Sequence, residues 1–575
     1  MTTAAPNPGT DQNPNSPPAS ATPAQPADLT AGIGGQVGKS MAWMLGTSVL
    51  IKALSFIAQI AMGWYLSDND FGVFALAFAI VGLCSFIREG GARDYLIQQG
   101  PSRYKELVGP LFWMAMTITV GLAIFLLILA GVMKSFPTFF PLSFRDPRLP
   151  WLLVLGAVMI CISTPSSFTS AKLQLELRFD ALGKVQIGSG LVRYSTMIAL
   201  AAAGFGPFAF LLAWIAVAAF ELVAFRRVVG INLFAEPKRP ELWRGFILLT
   251  IWLAVGFFGN FLVEWGNSAA VGIFRSQATV GYYYFAFGLT VQLVVLLSVN
   301  AQYVLMPALS RLNDQPVRQG QAILKTTRAL VLVASGLCLG FSVAADSVMT
   351  VIWHDKWEPS VLAVQIFGIF FPMRMTYGLT LAIMQAKGQF RSWAITSVIE
   401  AALLFSAAGF GAWYAPGAEW PALFVGLTLV FSRAWITGMV LKQAGISARQ
   451  RIMAQFPAWG LALLAAGIVW AVDIALSGPH GWNALRDWLA LNAHLSPRWA
   501  STGAEILRGG SLALTFGLIY AAFIRLTMPS AVAEAVALAP RKLRSVAARL
   551  MFINLQPAVT AEQTAAEVAT NPKAE

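Results

Sequence analysis

Apolar runs of about 20 residues recur along most of this chain, and they limit its possible folds more than any other feature. A helix of about 20 apolar residues is long enough to cross the hydrocarbon core of a bilayer. Hydrophobic residues make up 57% of the 575 residues and charged residues only 12%, whereas soluble domains carry about 25% charged residues. The sequence therefore predicts an all-α polytopic membrane protein.

Two of these runs form a helix hairpin between Arg244 and Arg311. A short polar turn from Arg275 to Thr279 joins two apolar stretches, and each stretch is long enough to span a membrane. Glu264 lies inside the first stretch. Because an ionisable group is costly inside a bilayer, an intramembrane carboxylate is by default a functional-site hypothesis.

The runs predict about fourteen spanning helices. Their approximate limits are 41–66, 71–97, 108–132, 150–170, 184–203, 207–229, 245–271, 280–306, 326–352, 359–386, 391–412, 420–442, 456–476 and 505–527. We predict a disordered cytoplasmic tail over 1–38, a six-helix N-lobe over 39–230, a cytoplasmic linker over 231–244, a six-helix C-lobe over 245–443, two extra helices over 444–528 and a second cytoplasmic tail over 529–575.

Lysine and arginine residues are distributed unequally between the two sets of loops. If the N-terminus is cytoplasmic, 27 of them lie on the cytoplasmic side and 8 on the other side. This bias follows the positive-inside rule and predicts that both termini are cytoplasmic. The basic cluster Arg541, Lys542, Arg544 and Arg549 suits an interfacial helix against membrane lipid, before a disordered end. The net charge of +13 is thereby explained without a nucleic-acid partner.

The residues that commonly ligate metals or act in catalysis are few and scattered. Cys84, Cys161 and Cys338 lie in apolar runs, which is typical of small buried residues rather than of disulfides or metal ligands. The three histidines lie outside the predicted spans without metal-ligand spacing, and no glycine-rich phosphate loop is present. The sequence therefore predicts a transporter rather than an enzyme, with no cofactor.

The two lobes share a weak internal repeat. When Gly63 to Phe78 is placed on Gly272 to Phe287, at an offset of 209 residues, two glycines, an alanine and a phenylalanine are identical. Leu173-Gln174 corresponds to Met384-Gln385 at a nearly equal offset of 211 residues. Since both lobes begin on the cytoplasmic side, the repeat predicts two parallel lobes related by an axis along the membrane normal.

An ordered set of short motifs between about 40 and 445 resembles the polysaccharide flippases of the Wzx-like polysaccharide transporter family. This family belongs to the multidrug/oligosaccharidyl-lipid/polysaccharide exporter superfamily. The motifs are Phe71-Gly72-x-Phe74, Arg88-Glu89-Gly90, Leu96-Ile97-Gln98, Val280-Gly281-Tyr282-Tyr283, Pro307-Ala308-Leu309-Ser310-Arg311 and Lys356-Trp357-Glu358-Pro359.

The resemblance implies a flippase that moves undecaprenyl-diphosphate-linked oligosaccharide across the bacterial inner membrane by alternating access. Such a glycan would serve exopolysaccharide, capsule or O-antigen biosynthesis. The resemblance also implies a central cationic cavity lined by helices one, two, seven and eight, and leaves the coupling ion open between proton and sodium. A glycan polymerase and export machinery are the implied protein partners.

Charged residues inside spans are the candidate site residues, because an unpaired charge at midplane costs about 2.5–3.5 kcal/mol even on insertion scales. The principal cavity candidates are Lys52, Arg88, Glu264 and Arg374. The further intramembrane charges are Arg193, Glu221, Glu400 and Arg433.

The sequence leaves two roles open for each of the first three candidates. Lys52 either meets the substrate diphosphate or forms a structural ion pair. Glu264 either takes part in transport, pairing with Lys52 across the lobes or carrying a coupling proton, or makes a fixed interhelical hydrogen bond. Arg88 either receives the diphosphate at the cytoplasmic mouth or anchors its helix as a positive-inside residue.

Two other functions remain open at this point. A multidrug or cation exporter of the same superfamily would favour an anionic or aromatic cavity. The charges well inside the spans, which leave out Arg88 at the end of its span, are four basic against three acidic. A membrane glycan polymerase or ligase would carry a large periplasmic loop. The longest such loop, about 477–504, instead predicts an interfacial helix near Trp482.

Overall fold

The computed structural model describes residues 26–89, 91–176, 178–310, 316–477, 481–492 and 497–538. All regular elements in these ranges are helices. The first seven α-helices are α1 (Pro26–Tyr65), α2 (Asp68–Glu89), α3 (Ala92–Gln98), α4 (Tyr104–Ser135), α5 (Leu149–Leu175), α6 (Phe179–Ala202) and α7 (Phe208–Val229). The next eight are α8 (Trp243–Phe261), α9 (Asn267–Phe274), α10 (Gln277–Ser310), α11 (Pro316–Trp353), α12 (Glu358–Phe370), α13 (Thr376–Ala386), α14 (Phe390–Tyr414) and α15 (Glu419–Gln443). The last four are α16 (Ala448–Leu476), α17 (Trp482–Asn492), α18 (Pro497–Thr527) and α19 (Pro529–Leu538).

Ten stretches of the described residues are long and apolar enough to cross a membrane, or up to eleven when a bent pair around Leu248 is counted as one span. One stretch, Arg318–Leu381, runs through several helices. The helices α6 and α10, of 24 and 34 residues, are not among the ten. The prediction of an all-α polytopic membrane protein is confirmed, whereas the number of fourteen spans stays a prediction.

Two helix boundaries differ from the sequence-based expectation. The first helix begins at Pro26, so residues 26–38 are helical where disorder is expected; extending a helix from an adjoining span fixes few extra dihedral angles for each new hydrogen bond. The second expected span is divided into α2 and α3 by Gly91, whose φ of 73° is favourable only for glycine. Residues 1–25 and the basic cluster from Arg541 lie outside the described residues.

The helices pack as two bundles joined by one apolar core. In the first bundle α4 packs on α5, α5 on α7, and α6 on both α1 and α7. In the second, α14 packs on α8 and α15, and α12 packs on α11 and α15. The bundles meet chiefly where α2 packs on α10. The core at this junction contains the buried rings of Phe71, Tyr283, Phe285 and Trp357.

Two predicted spans of the second bundle are interrupted by short segments that are not α-helical. A π-helical turn, Leu262–Gly266, separates α8 from α9. A 3-10 segment, Phe371–Met375, separates α12 from α13, and Pro372 within it has no backbone N–H to donate to the helical ladder. Such interruptions redirect side chains and are frequent at functional sites. They position the two charged candidates Glu264 and Arg374 described below.

The last long helices, α16 and α18, pack on α11 of the second bundle. Arg508 of α18 lies 2.9 Å from Asp346 of α11 and 2.8 Å from Asp473 of α16. The same arginine lies 3.4 Å from Glu505, and Ser347 donates a hydrogen bond to that glutamate. One guanidinium therefore ties the two extra helices to the C-lobe.

Candidate functional site

The first turns of α2 and α10 cross at one end of the junction with almost no space between their backbones. A Cβ on Gly72 would lie 2.0 Å from the carbonyl oxygen of Gln277, and a Cβ on Gly281 would lie 1.9 Å from the carbonyl oxygen of Asp68. Only glycine fits at either position. Gly72 and Gly281 are also the residues that the internal repeat aligns, so the crossing is nearly symmetric.

Hydrogen bonds between the lobes surround this crossing. The Trp357 indole donates to the carbonyl of Gly63 at 3.0 Å, and the Ser143 hydroxyl donates to the carbonyl of Gly272. Gly63 and Gly272 are again a pair in the repeat, so each lobe uses a loop to contact the end of the other lobe's first helix. We call the four glycines and these contacts the interlobe latch.

Further contacts on the α1 side reinforce the interlobe latch. The Trp353 indole donates to the carbonyl of Ile60 at 3.0 Å, and the Lys356 ammonium donates to the carbonyl of Trp64 at 2.7 Å. In the opposite direction the Trp64 indole donates to the carbonyl of Ile352 at 2.6 Å. The carbonyls of Trp64 and Ile352 lie in the last turns of α1 and α11, where a carbonyl has no partner within its own helix, so the donors to these two carbonyls satisfy groups that would otherwise be unpaired.

A cavity of about 380 Å³ lies in the N-lobe, at the other end of α2 from the interlobe latch. Arg88 lines it and follows Gly72 by sixteen residues, which is about 24 Å along a helix. We call it the N-lobe cavity. Its wall comprises Phe78, Gly82, Ser85, Phe86, Arg88, Arg93, Met159, Ser163, Ser166, Ser167, Ser170, Gln174, Leu182, Gln186, Trp214, Val217, Ala218, Glu221 and Phe225.

The lining differs from the set of helices that the family resemblance implies. Of helices one, two, seven and eight, only the second predicted span contributes, through α2 and α3; the other walls come from α5, α6 and α7. The reason is the ring of Phe261 on α8, which packs 4.9 Å from the ring of Phe86 and 6.2 Å from that of Phe78. A Cβ on Gly82 would lie only 2.5 Å from Phe261. Aromatic packing thus fills the space between α2 and α8.

Arg88 is buried and held against α5. Its Nη1 donates to the carbonyl of Ile160 at 3.1 Å, to the Ser163 hydroxyl and to the Thr164 hydroxyl at 3.4 Å. Only 6% of the residue is exposed. The guanidinium of Arg88 is therefore fixed in the wall of the N-lobe cavity, and its two suggested roles, receiving the diphosphate and anchoring the helix, stay predictions.

Glu221 lies on the same cavity wall, on α7. Ser189 of α6 donates to its Oε1 at 2.8 Å. The structure thus brings two of the candidate charges, Arg88 and Glu221, into one cavity. Among the described residues, no lysine or arginine forms an ion pair with Glu221.

Lys52 and Arg193 lie on two helices, α1 and α6, that pack against each other, and a Cβ on Gly190 of α6 would lie 3.4 Å from Ile51 of α1. Lys52 is half-buried on α1, and one turn later Ser55 accepts a hydrogen bond of 3.0 Å from Gln292 of α10. Since residues three apart share a helix face, Lys52 lies beside the boundary between the lobes. Among the described residues Lys52 has no ion pair with a carboxylate.

Arg193 is stabilised by an aromatic ring instead of a carboxylate. Its guanidinium carbon lies 3.8 Å from the ring centroid of Trp214, which lines the N-lobe cavity. A guanidinium over an indole face is attracted by the ring quadrupole, by up to about 2 kcal/mol when desolvated. Lys52 and Arg193 therefore extend the positive charge of the N-lobe cavity toward the interlobe boundary.

The partner of Glu264 is Arg374, and the suggested pair of Glu264 with Lys52 is wrong. The Arg374 guanidinium donates to Oε2 of Glu264. The physical reason is the meeting of the two interrupted helices, the π-helical turn of Glu264 and the 3-10 segment of Arg374. Arg374 also lies 5.3 Å from the ring of Phe287 and 5.4 Å from that of Phe371.

Glu400 and Arg433 form a second ion pair within the C-lobe. The Arg433 Nε lies 2.8 Å from Glu400 Oε1, and each side chain is only 2% exposed. Ser432 donates to the same carboxylate at 2.8 Å, and the guanidinium lies 4.4 Å from the ring of Tyr377. These two residues are in the protein interior and do not line the N-lobe cavity.

Sequence reasoning based on charge alone missed the polar and aromatic wall of the N-lobe cavity. The wall includes four serines of α5 at positions 163, 166, 167 and 170, together with Trp214. The signal was available as the cluster Ser163-Thr164-Pro165-Ser166-Ser167 within an apolar run. Among the described residues no group of three or more potential ligands could hold a metal ion.

Three comparisons with known proteins bear on this arrangement. A family model described as "Polysaccharide biosynthesis protein" matches residues 62–362, more than half of the chain. An uncharacterized membrane protein in the cps region of Klebsiella pneumoniae is 22% identical over 359 residues, which are 61% of this chain and 71% of that relative.

Two solved structures share the fold at low sequence identity. The lipid II flippase MurJ, in an inward closed conformation, matches with a TM-score of 0.59 and 11% identity over 83% of this chain and 98% of that chain. An inward-facing multidrug resistance MATE family transporter of the MOP superfamily matches with a TM-score of 0.53 and 11% identity, over 68% of this chain and 94% of that chain.

Proposed function

The chain belongs to the polysaccharide biosynthesis protein family, and on this premise we propose that it is a flippase for a polyprenyl-diphosphate-linked oligosaccharide. The glycan would be carried across the bacterial inner membrane for exopolysaccharide, capsule or O-antigen biosynthesis. The flippase fold of one solved neighbour and the capsule-region relative both support this proposal.

The observation that carries the proposal is the unequal neutralisation of charge in the two lobes. In the C-lobe, Arg374 and Arg433 are each paired with a glutamate. In the N-lobe, Lys52 and Arg193 lie on the packed helices α1 and α6, and neither has a carboxylate within ion-pair distance among the described residues. A diphosphate entering a low-dielectric site needs such cations, because an uncompensated ion there is costly.

The bias of lysine and arginine toward one set of loops gives the proposed orientation. The interlobe latch would face the periplasm and the N-lobe cavity the cytoplasm, with both termini cytoplasmic. In this conformation the lobes contact each other at the periplasmic end, and the cavity that takes the lipid-linked glycan is on the side where that glycan is made.

Translocation would then require the latch contacts to break and the contact between α2 and α8 at Phe261 to open. Binding of the glycan would favour the second step, because its bulk exceeds a cavity of about 380 Å³ and must displace the aromatic rings that fill the boundary. Rocking of two lobes about a fixed site is the usual form of alternating access in transporters with internal repeats.

A second candidate function is the export of organic cations. Trp214, Phe78 and Glu221 line the N-lobe cavity, and aromatic rings with a carboxylate can hold a cation. Arg88 in the same wall opposes this function, since it would repel a cation that approaches Glu221. Growth of a drug-sensitive strain on cationic dyes tests it directly, and resistance conferred by the chain would favour this candidate.

Replacement of the N-lobe cations tests the proposed flippase. In cells that lack their own copy of the gene, Lys52→Ala and Arg193→Ala should abolish surface glycan, normalised to the amount of protein in the membrane. Lys52→Arg should keep part of the export, because the charge remains while its geometry changes. Lys105→Ala, at an exposed lysine near the start of α4, is the matched control and should export normally. Normal export by Lys52→Ala and Arg193→Ala would contradict the proposal.

A further inference from the structure

A second cavity, of about 370 Å³, lies between α15 and α16, close to the short loop that joins these two helices. We call it the α15–α16 groove. Both helices are long and apolar enough to span a membrane, so the groove lies near a membrane–water interface. The bias of lysine and arginine among the loops assigns this interface to the cytoplasmic side.

The polar part of the groove is cationic. Lys442, exposed near the end of α15, and Arg451, in the first turn of α16, both line it. The described residues of its wall include no aspartate or glutamate. Ala448, the first residue of α16, also lines the groove, and the start of a helix carries partial positive charge. The groove therefore attracts an anion.

The guanidinium of Arg451 is held with one edge unpaired. Its Nη1 donates to the carbonyl of Gly438 at 2.9 Å, which fixes the side chain across the two helices. Its Nε is buried without a hydrogen-bond partner, and Nη2 has none among the described residues. Nε and Nη2 form one edge of the planar group, and such an edge can bind two phosphate oxygens at once.

A second buried polar group at the groove lacks a partner. Gln455, one turn after Arg451, lines the groove and is only 3% exposed, and its Oε1 accepts no hydrogen bond. Because an unpaired buried polar group is costly, both side chains favour an occupant that pairs with them. A headgroup that carries a phosphate and hydroxyls can accept from the arginine and donate to the glutamine.

The side of α15 that leads away from Lys442 is apolar and exposed. Phe431 is 73% exposed and Trp435 is 52% exposed, and residues four apart share a helix face. Lys442 follows Trp435 by seven residues, which is two turns and about 10 Å along the axis. A cation at the interface with apolar rings deeper in the membrane matches a phospholipid, whose phosphate lies above its acyl chains.

We propose that the α15–α16 groove binds an anionic phospholipid, with its phosphate held by Lys442 and Arg451. Basic pockets between spans on the cytoplasmic side bind anionic lipid headgroups in other membrane proteins. The bound lipid joins α15 of the C-lobe to the extra helix α16. It does so at the opposite end of α16 from Asp473, which pairs with Arg508. The proposal does not depend on which substrate the protein transports.

Native mass spectrometry of the purified full-length protein tests the proposal. The protein is released from micelles that contain equal concentrations of phosphatidylglycerol and phosphatidylcholine. One cation near an anionic lipid surface strengthens binding about 5-fold, so two should favour phosphatidylglycerol roughly 25-fold for the most tightly bound lipid. Lys442→Gln with Arg451→Gln should lose this preference.

Matched variants separate the site from general effects of charge and folding. Arg226→Gln with Arg227→Gln removes two exposed arginines at the end of α7 and should keep the wild-type preference. Gly438→Leu keeps both cations but fills the groove, since nothing lies within 4 Å of its Cβ, and should lose the lipid. Gly467→Leu, equally unobstructed on α16, should retain it.

Thermal unfolding of the same variants gives a second readout. Added phosphatidylglycerol should raise the unfolding temperature of the wild-type protein and of the two control variants, because a ligand that binds only the folded state stabilises it. The temperature should not rise in the charge variant or in Gly438→Leu. Each variant that unfolds cooperatively without lipid is shown to be folded by the same measurement.

The possible outcomes decide between three occupants. Wild-type retention of phosphatidylglycerol by Lys442→Gln with Arg451→Gln would overturn the proposal. Equal retention of phosphatidylcholine by the wild-type protein would show an apolar contact only, and would overturn the role of the two cations. Displacement of the lipid by glycerol 3-phosphate at the same concentration would show that the groove takes a soluble phosphate ester instead of a lipid.

Discussion

The buried charges of the two lobes have different roles because their partners differ. The ion pair of Glu400 with Arg433 is sealed in the C-lobe, with 2% of each side chain exposed. Arg88 is almost as buried but lies in a cavity wall. The ion pair of Glu400 with Arg433 stabilises a fixed arrangement of α14 and α15. Arg88, in contrast, lies next to a space that a ligand can enter.

Removal of one partner from the sealed pair should destabilise the protein strongly. Glu400→Ala leaves the Arg433 guanidinium buried without its carboxylate, and breaking a buried ion pair in this way costs about 3–5 kcal/mol. We expect a clear fall in the thermal unfolding temperature of the purified protein in detergent. The double variant Glu400→Leu with Arg433→Met should recover most of the loss, since no charge is then unpaired. If the unfolding temperature of the double variant fell as far as that of Glu400→Ala, the result would contradict this account.

The candidate residues could be found from the sequence, but their pairing could not. A charge within an apolar run is visible in the sequence, and Lys52, Arg193, Glu221, Glu264, Arg374, Glu400 and Arg433 were identified in this way. The pairing of Glu264 with Arg374 depends on a π-helical turn and a 3-10 segment that meet in space. Hydropathy carries no signal for such local helix geometry, so the same reasoning suggested Lys52 instead.

At the scale of the helix, the close crossing of α2 and α10 depends on the absence of two side chains. The internal repeat aligned Gly72 with Gly281, but it gave no reason for the glycines. The structure supplies the reason, since each glycine lies against a backbone carbonyl of the other helix. The repeat itself thus explains why two glycines 209 residues apart are both needed at one contact.

A methyl group at this crossing should shift the protein away from the latched conformation. Gly281→Ala would place its Cβ 1.9 Å from the Asp68 carbonyl oxygen, so the helices must separate. We therefore expect a cysteine placed at Tyr282 to react faster in the Gly281→Ala variant than in the protein with Gly281, when a membrane-impermeant thiol reagent is added on the side of the interlobe latch. Gly288→Ala on the same helix is the control, because nothing lies within 4 Å of its Cβ. Equal reaction rates in the two variants would show that the crossing does not close this end.

The whole molecule combines two helix bundles with two extra helices that pack on the second. The sequence was sufficient for the fold class and the family, because long apolar runs and ordered motifs are read directly from it. It was insufficient for the cavity, whose wall combines residues from five helices. The extra helices α16 and α18 are tied to α11 through Arg508, so we expect them to move with the C-lobe.

The orientation of the whole molecule can be tested by labelling single cysteines in a variant without Cys84, Cys161 and Cys338. A cysteine at Phe139, which is 80% exposed near the interlobe latch, should react with an impermeant reagent added to intact cells. A cysteine at Lys238, exposed in the linker, should react only after the membrane is made permeable. The reverse result would invert the orientation and remove the cytoplasmic access proposed for the N-lobe cavity.

Transport by the purified protein in vesicles tests the central claim most directly. The vesicles contain undecaprenyl-diphosphate N-acetylglucosamine in both leaflets, and a galactosyltransferase with its sugar nucleotide is added outside, where it modifies only the outer leaflet. We predict that the wild-type protein makes nearly all of the lipid-linked sugar accessible, while Lys52→Ala vesicles stop at the fraction that begins in the outer leaflet. Modification in wild-type vesicles no greater than in protein-free vesicles would contradict the account.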